Sequence, residues 1–527
     1  MVLRHMCRLF LFVSLSLLLT FSQLINLETR AQQASLTVEK EQNWKTYETG
    51  STCILGTGNV FLKDVDGDGV CEIITGGAPG QLRIWSWNGQ DLILEKSYEW
   101  QTTFLGAVVL GVYAIDADND GVTEIITAGV DRNDTRSYAQ LGIWRWNGNN
   151  LTLEKAQEWC TVEDSARSVF FLGWENSAMS VCAADVDGDR ESEIITGGRA
   201  YDGTRFNAQL RVWSWDNHSL TLEMSREWCA AKEALVLSAC TSDVDCDGIT
   251  EILTSGFDNN AENSTGQLSI WRWDGQTLTL EKNQRWQTVE GTALSMFGNV
   301  MGNTVANTIK TGDVNGDGVP KIVTAGFAYD GNLANGQLRI WSWDGETLTL
   351  EKSEEWFTAN TTEVKSLSID DVDGDGEQEI VTSGVYWNGT HSLAQLRVWT
   401  WDGMTLALEN NQDWISGLGT NPWNTATGDI DKDGIKEIIT VGCTHTDITS
   451  QTCDGHLRIW SISSKLVPPP NEIYLTVASV AIITTFAGTY LYMRRKRNLH
   501  QSHNKLDLMG FQKTEKQDLA RVNACKR

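Results

Sequence analysis

One short acidic loop occurs seven times in this chain, and that repetition constrains the fold more than any other feature. Residues 64–77 read DVDGDGVCEIITGG, and versions of this stretch begin at positions 116, 185, 243, 313, 371 and 429. Each is followed by a variable stretch, a segment similar to QLRIWSWDG, a segment similar to LTLEK, and a further tryptophan. A regular period of this kind predicts one repeat architecture rather than several unrelated domains.

Each repeat predicts four β-strands, because short runs of β-branched and aromatic residues alternate with Gly, Asn and Asp turns. The last repeat lacks its LTLEK segment after Trp460, and a matching segment, 36–40 with Trp44, stands near the start of the chain. We therefore predict an all-β fold, a seven-bladed β-propeller over residues 32–462 in which the N-terminal strand closes the last blade. The tryptophans recur at the same strand positions, which favours packing between blades over a stacking platform for a ligand.

The order of residue types within the loop predicts a metal site. Asp64, Asp66, Asp68 and Glu72 occupy positions 1, 3, 5 and 9, and Gly69 at position 6 permits the positive φ of a tight curl. Oxygen ligands that converge in this way suit a hard cation of calcium size, and without a cation the carboxylates would raise one another's pKa. A catalytic carboxylate pair is the alternative, but an enzyme seldom needs seven copies. We therefore predict calcium as the cofactor.

The pattern D-x-D-x-D-G-x-x-[DE], followed by an apolar strand, resembles the FG-GAP/VCBS repeats of integrin α-subunit propellers over residues 36–462. The resemblance implies a seven-bladed propeller with calcium held between the first and second strands of blades. Position 9 is Glu here, where integrins use Asp. Carried over position by position, the predicted metal ligands are Asp64, Asp66, Asp68 and Glu72; Asp116, Asp118, Asp120 and Glu124; Asp185, Asp187, Asp189 and Glu193; Asp243, Asp245, Asp247 and Glu251; Asp371, Asp373, Asp375 and Glu379; and Asp429, Asp431, Asp433 and Glu437.

Two copies of the loop depart from this pattern. In the third copy Arg190 replaces the glycine, which predicts backbone strain and an added positive charge. In the fifth copy Asn315 and Lys321 replace two carboxylates. An ammonium group at position 9 would neutralise Asp313 and Asp317 internally, so we predict that the fifth loop binds metal weakly or not at all.

The two ends of the chain predict a membrane protein. Residues 1–31 have the basic start and apolar run of a signal peptide, with an uncleaved anchor as the alternative. After a Pro-rich linker, 463–472, the uncharged stretch 473–493 is long enough for a transmembrane helix, and the basic tail 494–527 follows it. These features predict a single-pass cell-membrane protein with an extracellular propeller and a cytoplasmic tail.

The cysteine pattern adds a further prediction, which is that the propeller carries disulfide bonds. Cys160/Cys182 and Cys229/Cys240 occupy matching positions in successive repeats, and Cys443 and Cys453 bracket one loop. We expect these three pairs to be bonded.

Function is predicted from the loops that vary. A net charge of −27 argues against nucleic-acid binding. The loops opposite the acidic turns differ between repeats, and recognition usually resides in variable loops on a rigid scaffold. We predict binding of an extracellular protein or glycan and no catalysis. One alternative is a surface enzyme acting on polysaccharide or lipid, with His391 and His445 in neighbouring repeats as its candidate residues. The other is a structural envelope component. The candidate ligand-binding residues are Tyr201, Arg205, Tyr329, Tyr386, Trp387 and His391.

Overall fold

The computed structural model describes residues 35–45, 57–100, 107–132, 137–160, 176–230, 232–259, 264–287, 304–329, 333–359, 361–445 and 453–462, and positions 493, 494 and 497. The described residues form 28 β-strands, so the all-β part of the prediction is confirmed. In chain order, the first thirteen are β1 (Leu36–Trp44), β2 (Thr57–Lys63), β3 (Glu72–Gly77), β4 (Gln81–Trp87), β5 (Leu92–Glu99), β6 (Val108–Ile115), β7 (Glu124–Arg132), β8 (Ser137–Trp146), β9 (Leu151–Trp159), β10 (Ser177–Ala184), β11 (Glu193–Tyr201), β12 (Phe206–Trp215) and β13 (Leu220–Trp228). The others are β14 (Glu233–Ser242), β15 (Glu251–Asn259), β16 (Ser264–Trp273), β17 (Leu278–Trp286), β18 (Thr304–Gly312), β19 (Lys321–Tyr329), β20 (Ala334–Trp343), β21 (Leu348–Trp356), β22 (Thr361–Asp370), β23 (Glu379–Trp387), β24 (Ser392–Trp401), β25 (Leu406–Trp414), β26 (Gly419–Gly428), β27 (Glu437–His445) and β28 (Cys453–Ile462).

These strands associate in antiparallel groups of four, which we call quartets. Quartets 1 to 6 are β2–β5, β6–β9, β10–β13, β14–β17, β18–β21 and β22–β25, and quartet 7 is β26–β28 with β1. Quartets 3 and 4 are joined into one eight-stranded sheet by a single parallel bridge between Phe206 and Glu233. Strand β1 runs antiparallel to β28, from Leu36 opposite Ile462 to Trp44 opposite Gly455. The N-terminal strand therefore completes the last quartet, as the sequence predicts.

The first strands of the quartets are in contact with one another in succession. β2 contacts β6, and the series continues through β10, β14, β18 and β22 to β26, which contacts β2 again. Polar side chains bond across these contacts: the Asn59 amide donates to Leu110 O, and the Ser180 hydroxyl accepts from the Ala239 N–H. The first strands enclose a cavity of about 380 Å³, in whose described lining Lys310 is the one charged side chain.

Tryptophan side chains fill the space between neighbouring quartets, which confirms the packing interpretation. The first Trp of each of the six W-x-W motifs, and Trp460 at the same place in quartet 7, is at most 5% exposed, and its indole N–H donates to a Thr hydroxyl on the second strand. The Trp at the end of each fourth strand, or directly after it, packs against this residue from the preceding quartet in a tilted or edge-on arrangement, with ring centroids about 5 Å apart. The seven pairs are Trp44–Trp85, Trp100–Trp144, Trp159–Trp213, Trp228–Trp271, Trp286–Trp341, Trp356–Trp399 and Trp414–Trp460.

Two of the predicted disulfide bonds are wrong. Cys160, Cys182 and Cys240 carry free thiols, so neither Cys160–Cys182 nor Cys229–Cys240 forms. The reason is their place in the quartets, because Cys160 follows an outermost strand whereas Cys182 and Cys240 lie on innermost strands. Burial raises the pKa of the Cys240 thiol to about 12.

The third cysteine pair is brought together, but without the disulfide bond that was predicted. Cys443 and Cys453 are both buried, and a side-chain hydrogen bond joins them as thiols. His445 lies directly opposite Cys453 on the neighbouring strand. Hydrogen bonds with Cys453 and His445 hold the pKa of the Cys443 thiol well below its ordinary value.

The predicted membrane localisation is wrong for the part of the chain that the structure describes. None of its helices is long and apolar enough to cross a membrane. Helical residues occur there only at Met493, Arg494 and Arg497, all of them exposed and two of them charged. The predicted signal peptide (1–31) and linker (463–472) lie outside the described residues, as do the rest of the 473–493 segment and the basic tail apart from Arg494 and Arg497.

Candidate metal centres and hairpin surface

The seven acidic loops connect the first and second strands of the quartets, and we number them with their quartets: loop 1 is 64–72, loop 2 is 116–124, loop 3 is 185–193, loop 4 is 243–251, loop 5 is 313–321, loop 6 is 371–379 and loop 7 is 429–437. All seven share one hydrogen-bonded curl. The position 1 carboxylate accepts from the backbone N–H at position 6, at 2.8–3.1 Å. The position 5 carboxylate accepts from the N–H at position 7, at 2.6–2.9 Å.

Position 6 needs a left-handed backbone, and this explains the glycine there. Gly69 has φ of 85° and Gly121 has φ of 87°. Arg190 takes the same conformation in loop 3 with φ of 79°, so the strain predicted for this residue is present. The Arg190 N–H still donates to Asp185 Oδ2, at 3.0 Å, and loop 3 keeps the shared curl.

The position 9 glutamate is fixed by the loop that it closes. In six loops its Oε2 accepts from the backbone N–H at position 2, at 2.9–3.1 Å, and the position 2 side chain is buried beneath the loop. The second carboxylate oxygen is then left for another partner. Glu251 Oε1 and Glu379 Oε1 are buried without a hydrogen-bond partner among the described residues. A buried carboxylate oxygen in this state requires a cation or a proton.

The carboxylates of the loops converge. In each of loops 1 to 4, carboxylate oxygens of positions 1, 3 and 9 lie within 4.8 Å of one another, and in loop 6 those of positions 1, 3 and 5 do so. All donors are oxygens and most are charged, a set that suits a hard divalent cation such as calcium. The residues present thus fit a metal ion of this class. Calcium as its identity remains a prediction.

Burial and neighbouring carboxylates keep the pKa of the position 9 glutamates high in the absence of metal. The pKa is raised from 4.5 to about 8 for Glu72, Glu379 and Glu437, and to about 7 for Glu193 and Glu251. Burial is the largest cause, and Coulomb repulsion from the loop's own aspartates adds to it.

One acidic residue of each site was missed by the sequence reasoning. It is the glutamate of the LTLEK segment, which a β-bulge on the fourth strand places beside the acidic loop; examples are Glu95 and Glu281. Coulomb repulsion from Glu95 helps to raise the pKa of Glu72, and Glu281 does the same to Glu251. Its recurrence in register with the loop was a signal in the sequence that could have revealed it.

Loop 5 has the internal cation that its sequence predicts. Lys321 is 6% exposed, and its ammonium donates to both carboxylate oxygens of Asp317, at 2.9 and 2.7 Å, and to Val319 O. This contact lowers the pKa of Asp317 to about 2. Asp313 instead accepts from backbone N–H groups of the loop.

Family comparison agrees with the loop geometry. Residues 64–127 and 371–440 match the model of the FG-GAP-like repeat, and both segments begin at the first aspartate of an acidic loop. The chain contains FG-GAP-like repeats. No curated protein sequence matches it.

The FG-GAP-like loops lie at one end of the quartets together with the hairpins between third and fourth strands. A Cβ added to Gly148, in the hairpin of quartet 2, would come within 2.7 Å of Asp66 Oδ2 in loop 1. In the same way, a Cβ added to Gly275 would approach Asp187, and one added to Gly345 would approach Asp245; each aspartate lies in the loop of the preceding quartet. We call this the acidic end. Position 3 of an acidic loop is therefore packed against the next quartet.

The candidate ligand-binding residues lie at the other end, on hairpins between second and third strands, which we call the hairpin end. Tyr201 and Arg205 share the β11–β12 hairpin, Tyr329 ends β19, and Tyr386, Trp387 and His391 lie on the β23–β24 hairpin. The structure thus places them on three different quartets. Tyr201 stacks on Phe206 with centroids 4.9 Å apart, and its hydroxyl donates to Gly203 O.

The hairpins of quartets 3 and 6 are built on the same turn. The Asn388 side-chain oxygen accepts from the backbone N–H groups of Thr390 and His391, at 2.9 and 2.8 Å. Asp202 accepts in the same way from Thr204 and Arg205. Such a side-chain-to-backbone turn fixes the hairpin tip. It presents Arg205 in one quartet and His391 in the other.

The two histidines of the enzyme hypothesis both contact the segment that leads into β26. His391 Nδ1 is 2.9 Å from Leu418 O, and His445 Nε2 is 3.3 Å from the Asn421 amide nitrogen. Leu418 also donates its backbone N–H to His445 O. One of these ring nitrogens contacts a backbone oxygen and the other contacts a side-chain amide. Contacts of this kind fix the position of a loop.

The raised pKa values predict how the metal-free protein responds to pH. Between the ordinary glutamate value and pH 7–8, the folded state holds protons on the position 9 glutamates that the unfolded state has lost. Stability must then fall as pH rises through this window. In chelator, we expect a higher midpoint of thermal unfolding at pH 5.5 than at pH 8. A midpoint that increases with pH in chelator would contradict the burial of these carboxyl groups.

Proposed function

We propose that this chain is a calcium-stabilised, seven-bladed β-propeller that binds a protein or glycan at the hairpin end. The cyclic contact of the first strands, the tryptophan pair that joins quartet 7 to quartet 1, and the completion of quartet 7 by β1 support the seven-bladed ring. A closed ring is the expected arrangement for repeats of four strands, because closure removes unpaired edges.

One observation carries the proposed binding surface. Among the described residues, three large apolar side chains are exposed around the hairpin end of quartet 6: Phe357 at 51%, Trp387 at 36% and Ile415 at 41%. Phe357 and Ile415 follow the outer strands of quartets 5 and 6, and Trp387 ends β23 between them in the chain. We call these three residues the apolar cluster of quartet 6. Phe357 and Ile415 were not among the residues chosen from the sequence.

The surroundings of this cluster are rigid. The Gln395 amide donates to the Thr358 hydroxyl, at 2.6 Å, next to Phe357. The His391 ring nitrogen Nδ1 contacts the backbone oxygen of Leu418, in the segment that follows Ile415. Tyr386 precedes Trp387 in the chain, and its side chain hydrogen bonds to Asp413. Burial, followed by the Asp413 charge, raises the pKa of the Tyr386 hydroxyl. Aromatic groups on a fixed base can bind a partner at low entropic cost, as is typical of interfaces and of sugar-binding surfaces.

Binding is tested by replacing the apolar cluster. We expect the double variant Phe357→Ala and Trp387→Ala to lose at least tenfold in affinity for protein or glycan ligands found by screening the full chain on arrays. The matched control is Met404→Ala, because Met404 is 84% exposed but lies in a hairpin at the acidic end of the same quartet. Equal affinity of the double variant and the wild type would rule out this surface, whereas an effect of Met404→Ala would move the site to the acidic end.

A further inference from the structure

The acidic loops are alike in sequence but differ in what lies next to them. The residue between the two tryptophans of the W-x-W motif is the cross-strand neighbour of the position 9 glutamate, as Arg145 is of Glu124. This residue is Ser or Thr in five quartets: Ser86, Ser214, Ser342, Thr400 and, in quartet 7, where Ile462 replaces the second tryptophan, Ser461. It is arginine in quartets 2 and 4, as Arg145 and Arg272. An arginine side chain is therefore the cross-strand neighbour of the position 9 glutamate in two of the loops.

Arg145 occupies the centre of loop 2. Its Nη2 lies 2.6 Å from Glu124 Oε1, 3.0 Å from Asp120 Oδ2 and 3.5 Å from Asp118 Oδ2. Its Nε lies 3.5 Å from Glu154 Oε1, the bulged glutamate of the fourth strand. Glu124 is fully buried, and the Asp118 side chain is 3% exposed. One guanidinium thus lies within ion-pair distance of three of the four predicted metal ligands of this loop. It hydrogen bonds to Glu124 Oε1, whereas Asp118 Oδ2 is buried without a hydrogen-bond partner among the described residues.

Arg272 has the same position in quartet 4 but a different set of contacts. Its Nη1 lies 3.0 Å from Asp247 Oδ2 and 3.9 Å from Glu281 Oε1. The buried Glu251 Oε1, which corresponds to the oxygen that Arg145 binds in loop 2, has no partner among the described residues. Loop 4 therefore still presents an unsatisfied carboxylate oxygen towards its centre.

We propose that Arg145 takes the place of the metal ion in loop 2, so that this loop is closed without metal while its neighbours require one. The inference rests on the proposed calcium binding of the other loops. A guanidinium within ion-pair distance of three carboxylates neutralises part of their charge, and its hydrogen bond satisfies Glu124 Oε1, an oxygen that a metal would coordinate. With loop 5 neutralised by Lys321, loops 1, 3, 4, 6 and 7 remain as metal sites.

The quartets would then differ in whether their acidic ends depend on calcium. Quartets 2 and 5 keep their acidic ends folded at any calcium concentration, because their cations are covalently part of the chain. The remaining quartets exchange their cations with the solvent. Loss of calcium would then loosen quartets 3 and 4 together, and quartets 6, 7 and 1 together, with quartets 2 and 5 as fixed points between them.

The test is to count calcium ions on the full chain by native mass spectrometry. We expect five ions on the wild type and six on Arg145→Ser, since the substitution installs the residue found in other quartets and frees the carboxylates of Asp118, Asp120 and Glu124. The matched control is Arg272→Ser, for which the count stays at five. In chelator, Arg145→Ser should unfold at a lower temperature than the wild type, and calcium should remove the difference.

The outcomes separate the two proposals. Six ions on the wild type, or no gain on Arg145→Ser in a protein that binds calcium elsewhere, would overturn the role of Arg145 and leave calcium binding intact. No calcium on any variant at millimolar concentration would overturn calcium binding itself. If Arg145→Ser does not fold, Arg145→Gln keeps hydrogen-bond donors without the charge, and a count of six on that variant supports the same conclusion; a count of five opposes it.

Discussion

Removal of calcium is expected to lower the midpoint of thermal unfolding of the full chain by a large amount. A ligand that binds only the folded state, at 100 times its dissociation constant, stabilises a protein by about 2.7 kcal/mol, so five independent sites would contribute about 14 kcal/mol. That sum is comparable to the whole free energy of unfolding of a typical domain. The measurement is calorimetric unfolding in calcium, in excess chelator, and after calcium is restored.

The isosteric variant Glu379→Gln sharpens this test. Glu379 is fully buried, and its pKa is raised to about 8 by burial and by the charge of Asp373. In calcium at pH 8 we expect the variant to be less stable than the wild type, because one charged ligand is lost. In chelator at the same pH we expect it to be more stable, because a buried and repelled carboxylate has been made neutral. A chelator that left the wild-type midpoint unchanged would show that the loops are not metal sites.

Deletion of strand β1 is expected to have the second large effect. The variant that starts at Lys45 lacks Trp44, which stacks on Trp85, and exposes the edge of β28. Loss of a fully buried tryptophan costs about 3–5 kcal/mol, and the partly buried Trp44 is expected to contribute up to that amount. We expect a loss of cooperative unfolding, together with association through the free edge. Circular dichroism melts and light scattering would report both.

Polar contacts of β1 add to this effect. Arg458 Nη2 lies 2.7 Å from Glu41 Oε2, and the Ser416 hydroxyl donates to Glu41 Oε1 at 2.6 Å. A hydrogen bond with His456, Ser416 and the Arg458 charge lower the pKa of Glu41 to about 2. The control variant starts at Ser35 and keeps the whole strand. A synthetic peptide of residues 35–45 should restore the cooperative transition of the deletion variant; if the deletion variant melts like the control, β1 does not close the last quartet.

The parts of the structure that the sequence predicted well are those that repeat. Seven copies of one loop fixed the ligand positions in register, since each copy must curl in the same way to join the same two strands. The missing last strand and its copy at the N-terminus predicted the pairing of β1 with β28. A repeated local pattern is a strong predictor, because every copy of it supports the same structure.

The sequence failed where two distant segments had to be compared in space. The cysteine pairs looked equivalent in linear spacing, yet Cys160 and Cys182 belong to different quartets. Cys160 follows the outermost strand of quartet 2, and Cys182 lies on the innermost strand of quartet 3. Phe357 and Ile415 looked like ordinary linker residues, and only the structure showed that both are large apolar side chains left exposed at the hairpin end. Spacing along a chain gives no distance between strands that belong to different sheets.

The chain's sequence by itself therefore determined the strands, their grouping in fours, and which residue types could coordinate a cation, because these depend on local periodicity and residue chemistry. Only the tertiary structure decided which cation each loop contacts. Arg145 lies 21 positions after Glu124, and it reaches that carboxylate because the antiparallel pairing of β7 with β8 sets the two residues side by side. Register between strands, rather than the motif, turns one repeated loop into sites with different partners.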